Sequence, residues 1–105
     1  MAAKNFTKTA VGTGDEALTT NSVWAEYEVF IQAPDSNSVA ATIKNEDGQI
    51  IMVLNPGIRD RYKVDKTRVP NPASSVATEK YGDCAKLSEW TAAMGAGDKV
   101  YVNAR

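Results

Sequence analysis

The side chains best spaced for acid–base chemistry are Glu26 and Glu28, two carboxylates that strand alternation puts on one face. Two like charges so placed read more simply as a solvated surface. Histidine is absent, which removes the usual general base at neutral pH, the commonest metal ligand and any Ser-His-Asp arrangement. The stretch "DSNSV", residues 35–39, opens like a calcium loop. Val39, however, stands where an oxygen ligand is needed, and no glutamate closes the loop at the required distance. "VGTGDEA", residues 11–17, has two glycines but neither a following lysine nor a preceding apolar strand, so it is not a phosphate cradle. The single cysteine, Cys84, forms no intramolecular disulfide and reads as a small half-buried side chain. No catalytic, cofactor or metal residue is assigned, and the chain reads as a non-enzyme without cofactors.

Surfaces must therefore carry the function, and one segment stands out. "IRDRYKVDKTRV", residues 58–69, sets Arg59, Arg61, Lys63, Lys66 and Arg68 against Asp60 and Asp65, with Tyr62 among them. Tyr62 would suit base stacking, but the two aspartates and the formal net charge of -1 speak against a nucleic-acid patch. A solvated strand face is the commonest origin of such a mixture. A salt-bridged protein interface comes next, and nucleic acid third. Phe30 is a further contact candidate, because it shares its face with Glu26, Glu28 and Gln32.

The elements that position these residues are strands. Residues 1–20, rich in Thr, Ala and Gly with Phe6 as their one aromatic, read as an extended arm, either frayed or pinned on a neighbouring subunit. The sequon Asn5-Phe6-Thr7 carries little weight without other signs of a secretory route. From residue 21 a single β domain is expected. "VWAEYEVFIQA" puts Tyr27, Val29, Ile31 and Ala33 on one face. "PDSNS" is a turn, and "VAATIKN" then aligns Val39, Ala41 and Ile43. Asp47-Gly48 marks a hairpin into "QIIMVL". These three strands are expected to form an antiparallel meander. The run Ile50–Leu54 does not alternate, so both its faces are expected to be covered. Pro56-Gly57 ends that strand. A strand with a basic outer face should follow, then a loop around Pro70 and Pro72. Leu87, Trp90, Thr91 and Met94 lie at helical spacing with Gly95 as a C-cap, which predicts a short helix or turn over 86–94. The rival is a strand with Leu87, Glu89 and Thr91 on one face. "DKVYVNAR" closes the chain as a strand with Val100 and Val102 on one side and Tyr101 on the other.

At 105 residues the chain has room for one hydrophobic core. Its 43% hydrophobic and 24% charged residues match folded rather than disordered chains. No apolar run approaches the ~20 residues that cross a bilayer, and the N-terminus lacks the apolar centre of a signal peptide. Synthesis in a reducing cytoplasm, with no membrane partner, is the expectation. The fold class expected is mainly β: a small antiparallel sandwich or barrel, jelly-roll-like.

From Val11 to Val102 the order of features resembles that of small tailed-phage virion proteins. A Thr/Gly-rich arm is followed by "IQAPDSNSVAATI", an "LNPG" turn, "VDKTRV" and "KLSEW…GAGDKVYV". The resemblance is one of texture to capsid decoration or cement proteins. It implies a β-sandwich or barrel that sits as a trimer or dimer over joints between capsomers, with the major capsid protein as partner. The expected role is a non-enzymatic protein on the virion surface that stabilises the assembled shell. Its expected contacts are Phe6, Phe30, Arg59, Arg61, Tyr62, Lys63 and Arg68. The rival expectations are a soluble β-domain adaptor and another virion component, such as a head-completion, tail or fibre-base protein.

Overall fold

Period-two alternation sends apolar side chains to one side of nearly every strand. The computed structural model describes residues 4–64 and 85–105. Ten strands occur there: β1 (Lys4–Thr9), β2 (Glu16–Ala17), β3 (Trp24–Ala25), β4 (Glu28–Gln32), β5 (Ala41–Lys44), β6 (Ile50–Leu54), β7 (Arg59–Lys63), β8 (Ala85–Lys86), β9 (Thr91–Ala93) and β10 (Lys99–Ala104). One four-stranded sheet runs β1-β10-β4-β7 and a second runs β2-β9-β5-β6, all antiparallel. β3 pairs with β8 as a short separate ladder. Leaving that ladder aside, the two strand orders are those of an eight-stranded jelly roll. The fold is a small β-sandwich, as expected.

The inner faces share one core. Val29 and Ile31 of β4 and Val100, Val102 and Ala104 of β10 line it from the first sheet. Ala41 and Ile43 of β5, Met52 and Leu54 of β6 and Ala92 of β9 line it from the second. Burying an aliphatic side chain of this kind contributes about 1.5–3 kcal/mol. Trp90 is buried between the layers. Its ring meets Tyr62 edge-on at 5.2 Å between centroids, and its indole N–H donates to Glu46 Oε2 at 2.9 Å.

Several expectations need correction. Residues 4–9 are not part of an arm but strand β1, paired along its length with β10. Ala10 and Leu18 also lie in the core. A Thr-rich strand with a single apolar inward residue, Phe6, has too weak a hydrophobic pattern to be read alone, yet it covers the free edge of β10. The meander is only half formed: β5 and β6 make the hairpin, with Gly48 at φ 79°, whereas β4 belongs to the opposite sheet. The loop between β4 and β5 crosses the sandwich and is clamped to the start of β10. Asn37 donates to the Lys99 carbonyl at 2.7 Å and accepts from its N–H at 2.9 Å. The Asp98 carboxylate accepts from the backbone N–H of Ser38, Val39 and Gly95 and from the Ser38 hydroxyl, and these donors hold its pKa below the ordinary value.

The expectation that both faces of β6 are covered is not met among the described residues: Met52 and Leu54 face the core, whereas Ile50 and Val53 on the outer side of the second sheet are 60% and 55% exposed. Tyr27 and Val39 are likewise exposed, because each lies just outside its strand. Over 86–94 the turn alternative forms and an α-helix does not. A 3-10 turn at Leu87–Glu89 joins β8 to β9, and Gly95 packs against Asp98 rather than capping a helix. The 3-10 turn places Leu87 and Trp90 three apart in the core, and strand period then places Ala92 and Met94, so mixed periods imitate a helical stripe. Arg68, Cys84 and the loop around Pro70 and Pro72 lie outside the described residues.

Candidate docking face

The outer face of the first sheet is built by register. Asn5, Asn103, Phe30 and Arg61 lie opposite one another across β1, β10, β4 and β7, and Thr7, Tyr101, Gln32 and Arg59 form the next row. Glu28 and Lys63 begin a third row, completed by Arg105. Arg105 is tied to the start of β4: its carbonyl accepts from the N–H of Glu26, Tyr27 and Glu28, and its own N–H donates to the Glu28 carbonyl. A cleft of about 490 Å³ opens on the first two rows, with Phe30, Arg59, Tyr101 and Arg105 among its walls.

The turn Asn55-Pro56-Gly57 sets the register of β7. Gly57 lies at φ 87°, where only glycine is unstrained, and its N–H donates to the Ala33 carbonyl at 2.8 Å. Ala33 in turn donates to the Ile58 carbonyl at 2.9 Å, which delivers Arg59 opposite Gln32. Alternation then sorts the charges. Arg59, Arg61 and Lys63 share the outer side, while Asp60 stands opposite the buried Ile31 and its carboxylate accepts from the Arg61 N–H. Asp60, one of the two aspartates that dilute the basic segment, therefore does not share the face of the arginines, and Asp65 lies outside the described residues.

Two guanidinium groups lie over the Phe30 ring, Arg59 at 4.5 Å and Arg105 at 5.3 Å from its centre. Cation–π contacts of this kind contribute ~0.5–1 kcal/mol each at exposed sites. Glu28 answers two of the cations, Arg61 at 3.6 Å and Arg105 at 3.5 Å. Asn103 donates to Asn5 across the β1–β10 pair.

The structure thus brings together Phe30, Arg59, Arg61 and Lys63 from the sequence expectation and adds Arg105, Gln32, Tyr101 and Asn103. It separates the other two described candidates. Tyr62 has inward parity, opposite the buried Val29, and packs against Trp90, so it is not a stacking platform. Phe6 also has inward parity, opposite Val102, and packs against the core while its edge borders the cleft. The missing members were signalled by "VYVNAR", where alternation sets Tyr101, Asn103 and Arg105 against Val100 and Val102. Their meeting with β7 depends on strand order.

Among the described residues no cluster of three or more His, Cys, Asp or Glu could hold a metal ion, and no helix is long and apolar enough to cross a membrane. No protein-family model, curated protein or solved structure matches the chain.

Proposed function

We propose that this chain is a non-enzymatic structural protein that docks on the surface of an assembled phage capsid and stabilises it, with the major capsid protein as its partner. The observation that carries this reading is the sorted face of the first sheet, on which Arg59, Arg61, Lys63 and Arg105 stand around Phe30 on a rigid β scaffold. Amides, aromatics and arginines bind and orient. The planar guanidinium fork of arginine suits recognition of carboxylates and other planar anions. A jelly roll is an architecture common among capsid proteins, although the fold alone carries no function.

Decoration suits such a surface, because many copies on a lattice multiply a modest single contact. The copies would associate as a trimer or dimer. The exposed Ile50 and Val53 support such association by leaving apolar area accessible, and β6 ends its sheet among the described residues, which leaves an edge for strand pairing.

The test is co-sedimentation with purified capsids of the phage that encodes the protein, alongside light scattering of the free protein. Wild type should pellet with capsids and raise the temperature at which they come apart, whereas Arg59→Glu/Arg61→Glu should stay in the supernatant while still melting cooperatively, at a modestly lower temperature because the Phe30 and Glu28 contacts are lost. A monomer that ignores capsids would favour an adaptor for a single soluble partner.

A further inference from the structure

We infer that the cleft on the first sheet receives an extended acidic polypeptide segment, one of whose carboxylates is taken by Arg59. This rests on the reading of that face as the docking surface and names the chemistry it recognises.

Charge is the first ground. The chain as a whole is slightly acidic, yet among the described residues this face sets Arg59, Arg61, Lys63 and Arg105 against the carboxylate of Glu28. Glu28 is shared between Arg61 and Arg105. Arg59 has no carboxylate partner among the described residues. Its guanidinium is held against the Phe30 ring, which limits its motion and leaves N–H donors for a planar acceptor. A carboxylate matches that fork with two parallel hydrogen bonds.

The second ground is the floor of the cleft. Thr7, Gln32, Tyr101 and Asn103 offer neutral donors and acceptors side by side across three strands. Such groups suit the alternating N–H and C=O of an extended peptide.

A nucleic acid is the poorer fit. The ring on which a base would stack is already covered by two guanidinium groups, and Glu28 stands among the cations where phosphates would lie.

The experiment measures fluorescence anisotropy of the full chain with a labelled ten-residue peptide of alternating threonine and glutamate. Controls are the same peptide with glutamine for glutamate and a labelled oligothymidylate of equal length. The glutamate peptide should bind and the glutamine peptide should not, and binding should weaken as salt rises. Arg59→Gln should lower the affinity about ten- to a hundredfold, the loss of one charge-assisted bidentate pair. Arg59→Lys, which keeps the charge without the fork, should fall between. Melting curves establish that both variants are folded. Absence of glutamate-peptide binding at about 1 mM, equal binding by Arg59→Gln, or tighter binding of the oligothymidylate would each overturn the proposal. Capsid co-sedimentation of the wild type, run in parallel, separates the two ideas. Capsid binding without peptide binding refutes the acidic-segment inference alone, whereas peptide binding without capsid binding refutes the capsid reading.

Discussion

The guanidinium of Arg59 stacks on the ring of Phe30 at 4.5 Å, joining β7 to β4 on the outer side of the first sheet. The two residues lie in adjacent cross-strand rows, since Phe30 is opposite Arg61 and Gln32 is opposite Arg59. The ring thus acts as a support that fixes where a mobile side chain presents its donors. Phe30→Leu keeps apolar area but removes the π face and with it both cation–π contacts, so it should lower stability by about 1–2 kcal/mol while clearly weakening capsid attachment. Urea unfolding and co-sedimentation measure the two effects, and undiminished attachment would show that the ring does not organise the face.

Gly57 should tolerate no side chain. Its φ of 87° is strained for any L-residue, and an added Cβ would collide with the Asp35 carboxylate. Gly57→Ala is expected to cost about 1 kcal/mol or more in urea unfolding. Asp35→Ala in the same chain should recover only the part due to collision. Full recovery would mean that backbone strain contributes nothing.

Trp90 links the two layers, so Trp90→Ala should cost about 3–5 kcal/mol, a large fraction of the roughly 5–15 kcal/mol that holds a domain folded. The variant should melt far below wild type by circular dichroism. A cooperative melt close to wild type would contradict the central place of this side chain.

Glu16 should make the fold acid-sensitive. Its carboxylate accepts from the N–H of Val11 and Gly12 and from Lys8, and these partners lower its pKa from 4.5 to about 2. A carboxyl with a depressed folded pKa favours the folded state fully above its unfolded value, and that contribution is lost as pH falls towards about 2. Melting temperature should therefore decline between about pH 4.5 and 2, and Glu16→Gln should flatten part of the decline. The Asp98 carboxylate, also shifted down, adds to the same trend. An identical pH profile in Glu16→Gln would refute this role.

Asp98 closes the crossing loop between β4 and β5, so Asp98→Ala should depress the melting temperature more than Ser38→Ala does. The first leaves three backbone N–H groups and a hydroxyl without their acceptor, and the second removes one donor. Equal effects would show that water replaces the carboxylate.

Local pattern alone was enough for the strands of strong alternation. "EVFIQ", "ATIK" and "VYV" carry their inward residues at period two, and Asp47-Gly48 and Pro56-Gly57 mark reversals that the backbone makes at positive φ. The mainly-β class, the outward place of Phe30 and the basic character of one strand face follow from those residues and their spacing. Which strands become neighbours does not, because pairing is decided between segments far apart in the chain. β10 lies between β1 and β4, and β4 meets β7 only after the chain has crossed to the other sheet and back. That long-range pairing made a strand of the Thr-rich N-terminus, brought Tyr62 against Trp90, and carried Arg105 and Arg59 to the same aromatic ring. The physical reason is that a strand's own residues determine which side chains share a face, whereas the partner across each edge is chosen by the burial and hydrogen bonding of the whole sandwich.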